Sequence, residues 1–192
     1  MCSSDPCAAI LTNAAENHWE GFQSLNPVYD EPRDGNAADK AIDWLSHHSE
    51  RFFLWVHLMA PHDPWEKHPQ VKNFSSWFYR GNFDGSGPSA TRFMLEGAGP
   101  GDREQAIAIY DGEVAYADQQ VGRILEALGP RRHSTLVMLS ADHGEELDDH
   151  PPYLHHFASA YAGVMRVPWI LSQPGILPHR VVDGSVDVLD MA

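Results

Sequence analysis

Apolar positions along the chain form short continuous runs and one long stripe at helical spacing. Residues 52–59 and 135–139 are runs rich in β-branched and aromatic side chains, which is typical of buried strands. Residues 104–128 place apolar side chains three and four positions apart, which predicts one long amphipathic helix. Gly129 and Pro130 follow it as a stop signal.

The predicted long helix has one apolar face and several acidic positions beside it. Its apolar face comprises Ile107, Tyr110, Val114, Ala117, Val121, Leu125 and Leu128. The acidic residues Asp111, Glu113 and Asp118 are expected to face solvent or to cap neighbouring elements, as charged side chains usually do.

Weaker patterns predict further elements on both sides of this helix. Asn36 is a good N-cap for a helix running to about His47, and residues 8–11 form a short apolar run. Residues 66–101 keep no period and are expected to form a long surface excursion. A further strand is predicted at 166–171, with Pro168 placing it at an edge or at a strand start.

Strands that alternate with helices in this way predict an α/β fold. We expect a mixed or mostly parallel sheet flanked by helices, with 52–59, 135–140 and 166–171 in that one sheet. The 192 residues suffice for one sizeable core, so one domain is the first expectation.

Charge and cysteine content narrow the function classes. The formal net charge of −14 argues against a nucleic-acid binder, whose affinity comes from lysine and arginine on phosphates. The two cysteines predict no disulfide framework. The sequence predicts no signal peptide and no membrane span, and the compartment stays open.

Candidate chemistry collects where the predicted strands end. Asp142, His143 and Gly144 follow the strand 135–140, and a carboxylate with an imidazole is a common pair of ligands for divalent metals. This tripeptide by itself also occurs in plain polar turns. His150, His155 and His156 follow within one loop length and favour a site, as does His62, which two prolines fix at the end of 52–59.

Together these residues resemble the sulfatase branch of the alkaline phosphatase superfamily. The matching blocks are FFLWVHL at 52–58 with PHDPW at 61–65, YDGEVAYAD at 110–118, SADHGE at 140–145, and His156 and Tyr161 followed by RVP at 166–168. The blocks occur in the family's order, which makes the resemblance more specific than any one of them.

The resemblance implies a metal-dependent hydrolysis of sulfate esters. It implies that Asp142 and His143 are metal ligands, and that His62 and His156 contact the sulfate group or protonate the leaving oxygen. Glu145 would orient the loop or a ligand, whereas His150 and His155 are expected to be loop histidines. Calcium is the family's usual metal, with manganese or zinc as alternatives because a histidine ligand is softer than calcium prefers.

The resemblance also implies that parts of the family's domain lie outside this sequence. The upstream aspartate pair and the Cys-x-Pro-x-Arg motif, whose cysteine becomes the formylglycine nucleophile, have no counterpart here. Residues 186–192 look like the segment that precedes a later family helix. We therefore expect residues 1–192 to be the middle-to-late part of a sulfatase catalytic domain, truncated at both ends and inactive alone.

Two other functions stay open at this stage. One is a phosphodiesterase, phosphonate hydrolase or phosphoglycerol transferase of the same superfamily, and the other is a non-catalytic metal- or anion-binding module. The upstream nucleophile would separate the enzymes from one another. The natural ester and the oligomeric state cannot be predicted, and a periplasmic, extracellular or lysosome-like location is implied by the resemblance only.

Overall fold

The computed structural model describes residues 7–11, 23–24, 33–65, 68–151, 153–156, 159–184 and 186–191. It divides the chain into two units, Met1–Leu128 and Gly129–Ala192. No helix in the described ranges is both long and apolar enough to span a membrane.

The first unit is built on a parallel sheet. Strand β1 (Cys7–Leu11) lies between β2 (Gln23–Ser24) and β3 (Phe52–Val56), and helix α1 (Arg33–His47) connects the latter two. Cys7 pairs with Phe52 and Leu11 with Val56, so β1 and β3 run in register over their whole length. Because parallel strands end at the same edge of a sheet, the segment after β3 lies where α/β proteins place their sites.

Helix α1 confirms the helix predicted around residues 36–47, with an earlier start. It begins at Arg33, so Asn36 lies inside the helix and is not its N-cap. The buried apolar side chains of α1 are Ala37, Ala38, Ala41, Trp44 and Leu45. They recur at helical spacing, which is why the periodicity predicted the helix although it misplaced the start.

Strand β3 is shorter and less enclosed than the sequence predicted. It ends at Val56 and occupies an edge of the three-stranded sheet. Phe53 and Trp55 are 54% and 44% exposed, whereas their neighbours along the strand are more enclosed. A continuous apolar run predicts burial on both faces, but here one face carries most of the packing, so alternate side chains are exposed.

Helix α3 (Asp102–Leu128) confirms the long predicted helix but turns a different face inward. Its buried residues are Ala106, Ala108, Ile109, Gly112, Glu113, Tyr116, Gln120 and Leu128. Val114, predicted to be on the buried face, is 42% exposed. The buried face is rich in small residues, which bring the helix close to its neighbours but contribute little to a hydrophobicity pattern.

Of the two expectations for Glu113, exposure to solvent is wrong, because its side chain is fully buried, whereas contact with the start of a neighbouring element is confirmed at His68, the N-cap of the 3-10 helix Pro69–Asn73. Its Oε2 lies 3.3 Å from His68 Nε2, and its Oε1 accepts a hydrogen bond from the His68 backbone N–H at 3.4 Å. The His68 ring stacks on Tyr116 with ring centroids 3.6 Å apart. This pairing compensates the burial of a carboxylate, which is otherwise costly.

The segment predicted as a surface excursion, 66–101, contains regular structure where it is described. A 3-10 helix, Pro69–Asn73, approaches α3 so closely that a Cβ on Gly112 would lie 2.7 Å from Val71 Cα. Helix α2 (Gly87–Glu96) begins after Ser86, whose side chain accepts a hydrogen bond from the Ser89 N–H. Proline and glycine at the start of α2 hid it from the periodicity.

Tyr79 joins this segment to the start of α3. Its hydroxyl donates to Asp102 Oδ1 at 2.5 Å and accepts from the Phe83 N–H at 2.6 Å. Burial and the hydrogen bond to Asp102 raise the pKa of Tyr79 to about 12. The folded chain therefore keeps this phenol protonated at pH values where an unfolded tyrosine ionises.

We expect the Tyr79 phenol to make stability pH-dependent in alkaline solution. Its contribution is fully present below pH ~10, the usual tyrosine pKa, and is lost as the pH rises through about 12. Urea unfolding at pH 9 and 11.5 should show a smaller loss for Tyr79→Phe than for the native chain. Equal losses in the two chains would contradict the assignment.

The second unit contains two small antiparallel sheets. A 3-10 helix (Gly129–His133) begins the unit and precedes β4 (Val137–Ser140). Strands β5 (Glu146–Leu147) and β6 (Leu154–His155) form a hairpin. A short helix, α4 (Ala162–Met165), precedes β7 (Trp169–Ser172), which pairs with β4.

Strand β7 starts directly after Pro168, as predicted, and Arg132 donates a hydrogen bond to the Ser172 carbonyl at the far end of the strand, at 3.1 Å.

The prediction of one sheet for 52–59, 135–140 and 166–171 is wrong for the described residues. β3 pairs with β1, whereas β4 pairs with β7. Apolar runs identify strands but carry no information about which strand is the partner.

Candidate active site

His62 lies in a tight turn that follows β3 in the first unit. The His62 N–H donates to the Met59 carbonyl at 2.9 Å, and Trp65 Nε1 donates to the Pro61 carbonyl at 3.1 Å. His62 Nδ1–H donates to the carbonyl of Asp63 at 2.5 Å, and the Asp63–Pro64 peptide bond is cis. This hydrogen bond selects the tautomer with the proton on Nδ1 and the lone pair on Nε2.

The backbone just before this turn is bound by a buried carboxylate. Asp34, in the first turn of α1, is only 1% exposed and accepts hydrogen bonds from the N–H groups of Met59 at 2.7 Å and Ala60 at 2.8 Å. Burial raises the pKa of Asp34, although the two backbone hydrogen bonds act in the opposite direction. The first unit therefore buries an acidic group at the end of β3 to order the backbone there.

In the second unit, Asp142 and His143 follow β4 directly, as the sequence predicted. Asp142 Oδ1 accepts a hydrogen bond from the His143 N–H at 3.1 Å, and Asp142 Oδ2 lies 3.9 Å from His143 Nε2. His143 Nδ1–H donates to the Gly144 carbonyl at 3.0 Å, which leaves the lone pair on Nε2. A carboxylate oxygen and an imidazole lone pair thus lie within the span of two ligands of one ion.

Gly144 allows this turn to pack against the segment around α4. Its N–H donates to the Val164 carbonyl at 2.7 Å, and a Cβ on Gly144 would lie 2.0 Å from the Gly163 carbonyl oxygen. No side chain fits at that distance, because the neighbouring atom belongs to the backbone. The glycine is therefore required by the close approach of two chain segments.

We expect Gly144→Ala to destabilise the second unit by roughly 1–3 kcal/mol, because the added methyl group forces the backbone apart. Gly122→Ala is the matched control, since a Cβ at Gly122 meets nothing within 4 Å. In helix α3 that change should be neutral or stabilise by about 0.4–1 kcal/mol. Urea unfolding of both variants distinguishes them, and equal destabilisation would contradict the close approach.

Glu145 and Glu146 are consecutive buried carboxylates, and each binds a histidine. Glu145 Oε1 accepts from His156 Nδ1–H at 2.9 Å, and Glu146 Oε2 accepts from His150 Nδ1–H at 3.1 Å. Successive side chains of an extended chain point to opposite faces, so the two carboxylates serve different imidazoles. In both pairs the tautomer keeps the lone pair of the neutral ring on Nε2.

The prediction of a loop histidine is wrong for His155, which is the last residue of strand β6. Its side chain is buried and its Nδ1 lies 3.7 Å from Glu145 Oε2. With φ of 66°, it adopts a left-handed backbone conformation that residues with a side chain seldom take. His150, also predicted as a loop histidine, stacks on Tyr161 with ring centroids 3.6 Å apart in addition to its bond with Glu146.

Within the second unit the structure brings His143 and His156 together, with ring centroids 3.9 Å apart. The Asp142 carboxylate is mostly exposed and borders the same His143 ring. His62 belongs to the first unit. Its participation in one site with Asp142, His143 and His156 stays a prediction.

The donor set fits a divalent cation. Asp142 offers an oxygen ligand that calcium and manganese accept, and His143 Nε2 offers a nitrogen that manganese and zinc accept. The bond from His143 Nδ1–H to a backbone carbonyl is the usual partner of a metal-bound histidine.

Comparison with known proteins identifies the family to which this chain is similar. A family profile described as Sulfatase matches residues 5–192. The arylsulfatase of Clostridium perfringens is 33% identical over 94 residues, which are 46% of this chain and 19% of that protein. The chain therefore spans about a fifth of this curated relative.

Solved structures share the fold. A putative sulfatase from Bacteroides thetaiotaomicron has a TM-score of 0.59 at 18% identity, covering 82% of this chain and 41% of that chain. The C-terminal periplasmic domain of the phosphoethanolamine transferase EptC from Campylobacter jejuni has a TM-score of 0.62 at 22% identity, covering 88% and 53%. These matches confirm the predicted α/β class with its mixed helices and small sheets.

Proposed function

Because this chain belongs to the sulfatase family, we propose that it is the middle-to-late part of a catalytic domain that hydrolyses sulfate esters with a divalent metal. The observation that carries the proposal is the end of β4, where Asp142 and His143 present an oxygen and a nitrogen donor 3.9 Å apart. The Glu145–His156 pair lies beside them, with the His143 and His156 rings in contact. Oriented imidazoles beside a candidate metal site suit the transfer of an anionic group.

Asp142 and His143 would hold the metal. When bound, a divalent cation neutralises charge on the non-bridging sulfate oxygens and orients the ester. His143 is prepared for this role because its Nδ1–H is bound to the Gly144 carbonyl. Calcium is our first expectation for the metal, with manganese and zinc as alternatives because of the histidine ligand.

His156 would contact the sulfate group or give a proton to the leaving oxygen. Glu145 fixes its ring through Nδ1 and stabilises the imidazolium form, so that Nε2–H is the donor. His62, whose Nδ1–H is bound to the Asp63 carbonyl, would be a second imidazole of the same kind. A nucleophile in line with the leaving oxygen would come from a segment outside these 192 residues.

A related transfer reaction is the main alternative. The fold matches the periplasmic domain of a phosphoethanolamine transferase as well as sulfatase structures. Phosphodiesterases, phosphonate hydrolases and phosphoglycerol transferases of the superfamily belong to the same alternative, and a non-catalytic metal- or anion-binding module is a second one. That periplasmic neighbour also supports a periplasmic or extracellular location as part of the proposal.

The test is an assay of the 192-residue chain on an aryl sulfate with added calcium, manganese or zinc. We expect no turnover from the chain alone, and turnover after the upstream segment with its nucleophile is appended. Asp142→Ala should abolish the restored activity. Turnover by the chain alone that Asp142→Ala removes would place the nucleophile within these residues, and a preference for phosphate esters in the extended protein would favour the alternative.

A further inference from the structure

A single buried carboxylate binds the backbone at the point where β3 gives way to the His62 turn. Asp34 is 1% exposed, and its two carboxylate oxygens accept from the consecutive N–H groups of Met59 and Ala60. The distances of 2.7 and 2.8 Å are those of strong charge-assisted hydrogen bonds. Twenty-five residues separate Asp34 from Met59, so this contact belongs to the tertiary structure.

We propose that Asp34 is a positioning residue for His62, which it acts on through the backbone of Met59 and Ala60. Met59 is the link, because its N–H is bound by Asp34 and its carbonyl accepts from the His62 N–H at 2.9 Å. The inference rests on the proposed function, in which the His62 imidazole contacts the sulfate group.

The surroundings of Asp34 support a role in ordering the turn. Burial raises the pKa of the Asp34 carboxyl, and the hydrogen bonds from Met59 and Ala60 lower it. An asparagine of the same size would avoid the buried charge, but its single carbonyl oxygen could not accept from both N–H groups with two separate atoms. Asp34 therefore supplies two separate acceptors to this backbone, which an asparagine could not do.

The two sides of the His62 turn are bound by different groups. Beyond the turn, Trp65 donates through Nε1 to the Pro61 carbonyl and through its N–H to the Gly85 carbonyl. These contacts fix the far side of the turn, and Asp34 fixes the near side. Loss of Asp34 should therefore displace His62 while the Trp65 end stays in place.

The experiment is nuclear magnetic resonance of the 192-residue chain, with the imidazole signal of His62 and the amide signals of Met59 and Ala60 assigned. In Asp34→Asn we expect these three signals to move while that of Gly85 does not. Asp34→Glu, which keeps a carboxylate, should restore the amide signals in part. If Asp34→Asn does not fold, acidification of the native chain serves instead, because protonating Asp34 should move the amide signals of Met59, Ala60 and His62 with one common midpoint.

Ala41→Gly is the matched control, since Ala41 is fully buried in the same helix and the change weakens α1 without touching the carboxylate. The inference is overturned if the His62 imidazole signal is unchanged in Asp34→Asn, if the His62 amide signal does not follow those of Met59 and Ala60 on acidification, or if Ala41→Gly moves the His62 signals equally. Added sodium sulfate tests the function separately. Native His62 should respond to sulfate, and Asp34→Asn should weaken that response about tenfold or more. If the His62 signal of the native chain does not respond to sulfate, His62 is not part of the proposed site. The shift of the His62 signal in Asp34→Asn still decides separately whether Asp34 positions His62.

Discussion

Replacing His156 with glutamine is expected to slow sulfate-ester hydrolysis by about 10²–10⁴-fold, the usual contribution of one positioned acid–base group. This corresponds to a loss of roughly 3–5 kcal/mol of transition-state stabilisation. Glutamine keeps polar atoms near the Glu145 carboxylate but has no proton that it can give up near neutral pH. The protein for this measurement carries the present residues together with the segment that supplies the nucleophile, and the readout is kcat/KM on an aryl sulfate.

Two further variants make this result specific. Glu145→Gln should lower activity by about 10–100-fold, because it removes the carboxylate that orients His156 without removing the imidazole. His179→Gln is the control, since His179 is an exposed histidine of the same unit that takes no part in the site. If His156→Gln and His179→Gln have the same small effect, His156 has no catalytic role.

The largest expected effect on stability comes from Glu113. Replacing it with alanine should lower the free energy of unfolding by about 3–5 kcal/mol, since one partner of a buried carboxylate–imidazole pair is removed. Glu113 is fully buried, and His68 contacts it through both its ring and its backbone N–H. The variant leaves that N–H and imidazole buried beside Tyr116 without the carboxylate.

Urea unfolding with a far-ultraviolet signal measures this loss, which is a large fraction of the roughly 5–15 kcal/mol that stabilise an ordinary domain. Glu126→Ala is the control, because Glu126 is exposed on the same helix. Its effect should stay within about 0.5 kcal/mol. A loss below about 1 kcal/mol for Glu113→Ala would show that the pair is solvated in solution.

The long helices and the strand ends could be predicted because their signals are local. In residues 104–128, apolar side chains recur at helical spacing over about seven helical turns. Glycine and proline follow directly and end the helix. The inward face of α3 could not be predicted in the same way. Glu113 carries a charge that normally lies in water, and its partner His68 is 45 residues away in the sequence.

In the candidate site, too, local features could be predicted and contacts between distant residues could not. Asp142 and His143 follow an apolar run, and that position relative to a strand suffices to propose metal ligands. The bonds from Glu145 to His156 and from Glu146 to His150 depend on the register of a hairpin whose strands have two residues each. Such short strands show no periodicity, so the only available signal was two consecutive glutamates close to several histidines.

The pairing of β5 with β6 restricts the turn lengths that keep the hydrogen bond between Glu145 and His156. Glu146 pairs with His155 across the hairpin, and the next step places Glu145 opposite His156. A slip of this pairing by one residue would place Glu145 opposite His155 and separate it from His156. Surface turns ordinarily accept insertions and deletions. Here a change of turn length is compatible with the Glu145–His156 bond only where the turn itself absorbs it and the pairing of Glu146 with His155 is kept.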